Sequence, residues 1–248
     1  MDTRALWKAT GLNFLVSSGL FALLFALLWI AERLFPGLTL LHFSDPAWCV
    51  GIPASIIGVC YVLTIRNPQN YTGFYPGILM SALLGIQFLL QRQYDSTALY
   101  FCVFIPFQVM SILAWKRPRK EDTPFAPAFL ERRPMLLSLL LAVLIVAGDY
   151  MLMTFAVCHD TLADQIVLKL CNGLLIASSL LANFWLIYRK NDAWLYWVLY
   201  SLSGIALFSL LGNAFSIVLF CFFLVINGMA GIAWIRNTPK ENYGWLKF

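Results

Sequence analysis

Trp194, Trp197 and Ser201 stand at i, i+3 and i+7, which on a helix sets two indoles and a hydroxyl along a single stripe. An indole face stacks on flat rings and attracts cationic ones, and a hydroxyl bonds polar substituents. The competing use of such residues is an aromatic belt at a membrane surface. Trp194, close behind Arg189 and Lys190, fits a belt better than Trp197, one turn further in. Amides recur in other apolar stretches: Asn172 and Asn183, with Ser178 and Ser179 between them, then Gln87, Gln108 and Asn227. Asn172 and Asn183 are about three turns apart on a helix and so share a face. Amides at such depth either hydrogen-bond a solute or join helices to one another. With Trp185 as a further indole, the candidate solute-binding set is Trp194, Trp197, Ser201, Asn183, Asn172, Gln108, Asn227, Gln87 and Trp185.

Other chemistries lack their residues. Asp149 is the one acidic side chain well inside an apolar run, and no basic residue lies deep, so no proton relay is evident. No H-E-x-x-H, G-x-S-x-G or Walker pattern is present, which argues against an enzyme or an ATP-driven machine. The six cysteines, Cys49, Cys60, Cys102, Cys158, Cys171 and Cys221, form no C-x-x-C pair and read as small buried hydrophobes. No metal and no cofactor is expected.

These residues must be positioned by elements that suit hydrocarbon. Of the 248 residues 61% are hydrophobic and 12% charged, where a soluble domain carries roughly a quarter charged residues. The apolar residues fall in runs of about 20, enough for a helix to cross about 30 Å of lipid. Eight spans are expected at roughly 10–32, 47–65, 73–91, 98–115, 135–156, 166–188, 193–211 and 214–235. The first run, Gly11 to Ile30, is too long for a signal h-region and has no small-x-small cleavage pattern after it, so it reads as a retained helix.

Lys and Arg fix the orientation. With the N-terminus inside, nearly all of them, from Arg4 and Lys8 through the Lys116–Arg133 loop to Arg236 and Lys247, fall on the cytoplasmic side, and the opposite side keeps Arg33 and Arg92, with Lys169 within a span near that face. Both termini are expected in the cytoplasm, and the net charge of +5 reflects topology and not nucleic-acid binding. Pro118, Pro124, Pro127 and Pro134 make the longest inside loop a linker. The loop near His159, Asp160 and Asp164 falls outside and is acidic.

An internal repeat organises the spans. At a constant offset of 119 residues, 100–117 aligns with 219–236 through Phe101/Phe220, Cys102/Cys221, Phe104/Phe223, Met110/Met229, Ala114/Ala233, Trp115/Trp234 and Arg117/Arg236. Gln108 faces Asn227 and Gly85 faces Gly204 in the same register. Spans 2–4 and 6–8 then form two three-helix units, and span 5 restores the direction of travel, so the repeats run parallel. Parallel repeats with a site between them near the midplane are a transporter architecture, shared by the SWEET sugar carriers. The expected fold is an all-α integral membrane protein of eight transmembrane helices in a 3+1+3 arrangement with an extra N-terminal helix. Its segments are 1–46, 47–116, 117–165, 166–236 and 237–248.

At these residues the chain resembles the PnuC family of bacterial vitamin transporters, whose best-known member carries nicotinamide riboside. The resemblance covers roughly 47–236 and rests on the R-K-x-x-x-W-x-x-W stretch (Arg189, Lys190, Trp194, Trp197), on Asn172, Ser179, Ala182 and Asn183, on Gly77, Gly85 and Tyr94, and on the Trp-ended fourth and eighth spans. It implies a homotrimer in the bacterial inner membrane. It also implies facilitated diffusion of the vitamin, which is then trapped by phosphorylation inside the cell. Trp194 and Trp197 match the family's paired tryptophans. Asn183 falls where glutamine is usual, Ser201 where Asn or Asp is frequent, and Asn172 where Asp is frequent. Those departures leave thiamine, riboflavin or a deoxynucleoside as alternative cargo, and a membrane scaffold subunit as the alternative of another class.

Overall fold

The computed structural model describes residues 2–35, 44–92, 94–116, 127–155, 166–212 and 214–246. Pro118 and Pro124 of the linker, the acidic loop at His159, Asp160 and Asp164, and Lys247 lie outside the described residues. The chain forms two units, residues 1–125 and 126–248. Eight helical segments among the described residues are long and apolar enough to cross a membrane.

In the first unit, α1 (Thr3–Leu34) starts ahead of its apolar run because the Asp2 carboxylate accepts from the Arg4 backbone N–H at 3.1 Å and caps the helix. α2 (Pro46–Ile65) opens with Pro46 in its first turn behind the Asp45 cap, which accepts from the Ala47 N–H at 2.9 Å. A short 3-10 turn, Tyr71–Gly73, leads into α3 (Phe74–Leu90). The fourth span is broken into α4 (Tyr94–Leu99), a π-helical turn over Tyr100–Phe104, and α5 (Ile105–Lys116). It therefore starts earlier than its apolar content suggests. The widening has a local cause. Pro106 has no N–H for the Cys102 carbonyl, and Ile105 donates instead to the carbonyl of Tyr100, five residues back.

α1 is stitched to its neighbours by polar side chains. Thr10 Oγ1 lies 2.6 Å from Thr72 Oγ1, Asn13 Nδ2 donates to Thr64 Oγ1 at 3.1 Å, and Ser17 Oγ donates to the Ile56 carbonyl at 2.8 Å. Between membrane helices such bonds hold where apolar contact gives no preference over lipid. The remaining face of α1, with Leu12, Leu15, Leu23 and Leu27, is exposed, as a lipid-facing surface should be.

The second unit comprises α6 (Arg132–Phe155), α7 (Ile166–Ile187), α8 (Asp192–Leu210) and α9 (Ala214–Arg236), each packed against the next, followed by two 3-10 turns, Lys240–Asn242 and Gly244–Leu246. Residues 127–131, the α7–α8 turn and the C-terminal tail are clasped together. Phe129 N–H donates to Asn242 O at 2.9 Å, Trp245 N–H to Leu130 O at 2.7 Å, and Asn191 N–H to Ala128 O at 3.0 Å. Asp192, 1% exposed, is the buried centre: one carboxylate oxygen accepts from Leu130 N–H and the other from Trp245 Nε1, both at 2.7 Å. Gly244, at φ +51, lies so close to the Leu130 carbonyl that no side chain would fit.

One contact recurs inside each unit. A Cβ on Gly85 would strike the Phe101 ring, and a Cβ on Gly204 would fall inside the Phe220 ring, both pairs separated by the 119-residue offset. The glycines let an aromatic ring lie against the helix backbone. Gly204→Leu is therefore expected to displace Phe220 and destabilise the second unit by about 1–3 kcal/mol, read as a lower Tm of the detergent-purified protein.

Candidate functional site

The 3.6-residue period of α8 places Trp194, Trp197, Ser201 and Gly204 toward α9, and the same period on α9 brings Trp234, Asn227 and Phe220 to meet them. Three contacts follow along the helix pair. The rings of Trp194 and Trp234 meet edge-on at 5.5 Å and 71°, Asn227 Nδ2 donates to Ser201 Oγ at 3.1 Å, and Gly204 receives Phe220. Gly231 makes room for Trp194, whose Cβ lies 3.1 Å from the place a Gly231 Cβ would take. Trp197 stands edge-on to Tyr200 at 5.4 Å.

The hydrogen-bonding capacity of this cluster is only partly used. Ser201 Oγ donates to the Trp197 carbonyl at 2.9 Å, and Asn227 spends its amide N–H groups on Ser201 Oγ and on that same carbonyl at 3.4 Å. Three buried polar atoms are left without a partner among the described residues: Trp194 Nε1, Trp197 Nε1 and Asn227 Oδ1. Each unpaired group costs about 1–3 kcal/mol, and native proteins keep such groups for a reason. Two donors and one acceptor thus stand unpaired on neighbouring residues. Trp194 is 3% and Trp197 9% exposed, so neither is a lipid-facing belt residue.

A family model described as nicotinamide mononucleotide transporter matches residues 49–236. This chain belongs to that family. It is a multi-pass membrane transporter, and its family is one of transporters and not of enzymes. The match takes in α2 from Cys49 onward and runs to the end of α9, so both helix triplets lie within it and α1 lies outside. The fold is similar to that of a solved structure, "Crystal structure of the Vitamin B3 transporter PnuC", with a TM-score of 0.66 at 16% identity over 97% of this chain and 100% of that one. Among curated proteins no relative matches.

Within the transporter fold the other candidate residues fall in separate places. Asn172 turns toward α6, where Nδ2 donates to Asp149 Oδ2 at 3.1 Å and approaches Met153 Sδ at 3.5 Å. Asn183, which shares its helical face by spacing, donates back to the Ser179 carbonyl at 2.9 Å. Trp185 Nε1 donates to Ser138 Oγ at 2.8 Å, and that hydroxyl lies 2.6 Å from Tyr196 OH. In the first unit, Gln108 Nε2 donates to Tyr61 OH at 3.3 Å, and Gly77 gives the Gln108 side chain its space. Gln87 Oε1 is buried and unpartnered beside Gly51, and Ser81 Oγ is likewise buried without a partner.

Two groups are more deeply involved than the sequence indicates, Lys169, placed there only within a span near the outer face, and Asp192. Lys169 stands only one turn into α7, yet it is 4% exposed: its Nζ donates to Thr154 Oγ1 at 3.2 Å and lies 5.6 Å from the centre of the Tyr150 ring. The charge is thus sheltered by α6 close to the Asp149–Asn172 bond. Asp192 reads in sequence as an ordinary helix-start carboxylate. Its partner Trp245 is 53 residues away, beyond the reach of any local pattern.

Proposed function

We propose that this chain imports nicotinamide riboside by facilitated diffusion, as a homotrimer of the bacterial inner membrane, with phosphorylation inside the cell trapping the substrate. The unpartnered Trp194 Nε1, Trp197 Nε1 and Asn227 Oδ1 on the α8–α9 contact carry this reading. The pyridinium ring is flat and cationic, the partner an indole face attracts best, at about 0.5–2 kcal/mol per contact. Its carboxamide and the ribose hydroxyls supply acceptors for the indole N–H groups and donors for the Asn227 carbonyl. Several weak contacts suit a carrier that must also release its cargo.

The same residues argue for the riboside over its mononucleotide. A phosphate brought among indoles and amides inside the membrane needs a cation, because desolvating an unpaired ion costs several kcal/mol. The polar groups that meet at the α8–α9 contact are neutral. In proteoliposomes, labelled riboside uptake is expected to saturate and to be inhibited by unlabelled riboside at least about tenfold more effectively than by mononucleotide, the equivalent of about 1.4 kcal/mol. Thiamine, riboflavin and deoxynucleosides belong in the same competition. Strongest inhibition by one of them would reassign the cargo, and absence of saturable uptake of any would remove the carrier reading.

A further inference from the structure

The geometry points to a second binding site, a groove between α6 and α7 that holds one zwitterionic aminophospholipid. The groove encloses about 440 Å³ and lies wholly within the second unit. Leu137 and Leu141 of α6 form one wall, Leu181 and Phe184 of α7 the other, and Glu131 and Arg133 stand at its mouth. From Arg133 to Leu141 it follows α6 for about 12 Å, most of the roughly 15 Å that one leaflet contributes to the hydrocarbon. That is the reach of one acyl chain. The floor excludes a polar solute, because Trp185 Nε1, Ser138 Oγ and Tyr196 OH already bond one another and offer an occupant little.

The mouth selects the headgroup. Arg133 presents a guanidinium, which fits a phosphate in a forked pair, and Glu131 presents a carboxylate two residues away. Both are exposed. A cation beside an anion at the rim of an apolar groove complements a lipid with phosphate and ammonium in one headgroup. An anionic lipid would be repelled by Glu131, and a choline headgroup, whose nitrogen bears no hydrogen, would leave that carboxylate without a donor. The site requires nothing of the substrate assignment above.

Native mass spectrometry of the full-length protein released from nanodiscs of equal parts phosphatidylethanolamine, phosphatidylglycerol and phosphatidylcholine tests this. The wild type is expected to retain phosphatidylethanolamine about tenfold over either competitor, the scale of a charge-assisted hydrogen bond. Glu131→Gln, a surface change, should erase that preference while leaving some lipid bound. Arg133→Glu and the groove-filling Leu137→Trp should lose retained lipid, and Leu23→Trp on the exposed face of α1 should not. Preference for phosphatidylglycerol, equal retention of all three lipids by the wild type, or unchanged retention in both Arg133→Glu and Leu137→Trp would overturn the proposal. So would a loss of oligomer mass in Leu137→Trp with lipid unchanged, which would give the groove to a second copy of the chain.

Discussion

Replacing Asp192 with alanine is expected to lower the stability of the detergent-purified protein by about 2–6 kcal/mol, the scale of leaving two buried donors without an acceptor. The carboxylate takes hydrogen bonds from Leu130 N–H and Trp245 Nε1, and its loss leaves both donors buried with nothing to accept them. Asp192→Asn tests the same geometry at a finer level. Its carbonyl oxygen can accept one of the two bonds, but its amide N–H₂ then faces the other donor, so the asparagine variant should fall between wild type and alanine. Trp245→Phe removes one of the two donors and should cost less than Asp192→Ala. Because the same carboxylate ties residue 130 and the C-terminal tail to the start of α8, protease should reach the tail sooner in Asp192→Ala than in the wild type. Equal melting temperatures and equal digestion rates would show that this clasp contributes no stability.

Trp197→Ala is expected to weaken riboside affinity by about thirtyfold, the equivalent of about 2 kcal/mol lost from one desolvated cation–π contact. Trp197→Phe keeps a ring but removes the unpartnered N–H, so it should recover part of the loss. Trp197 is also a buried aromatic beside Tyr200, and a scaffold protein would need it for assembly instead. The two roles separate in one experiment. A carrier variant keeps its elution volume and Tm near wild type and loses affinity, whereas a scaffold variant loses the assembled species first.

The spans were legible because lipid imposes a single rule, about 20 apolar residues in succession, and each helix follows it. Their ends were less so. α1 begins at Thr3 because Asp2 caps it, and the fourth span reaches back to Tyr94 through a π-helical turn ahead of Pro106; neither feature registers in hydropathy. The α8 stripe was legible because a helix fixes which of its own residues share a face. The contact of Asn227 with Ser201 depends in addition on how α9 is rotated against α8, which the spacing of neither helix alone reveals. Where the partner helix decides, sequence was silent. Asn172 and Asn183 share a face by spacing, yet Asn172 bonds Asp149 on α6 while Asn183 bonds its own helix. Trp185 likewise bonds Ser138 on α6, and no periodicity within α7 reveals that.

The recurrent Gly85–Phe101 and Gly204–Phe220 contacts give the 119-residue offset a physical basis, since each glycine accommodates the ring that the offset assigns to it. Gln108 and Asn227 diverge on the same register: the first bonds a tyrosine hydroxyl, the second a serine and a backbone carbonyl.

We propose that the indoles and amide of the α8–α9 contact recognise a cationic pyridine nucleoside. Isothermal titration of the purified wild-type protein with nicotinamide riboside, beside Trp197→Ala and with mononucleotide as the comparison ligand, tests it most directly. Saturable binding of the riboside, weaker binding of the mononucleotide and a large loss in Trp197→Ala are the expected result. A folded wild-type protein that gives no heat with the riboside, or a Trp197→Ala variant that binds it as tightly, would contradict the claim.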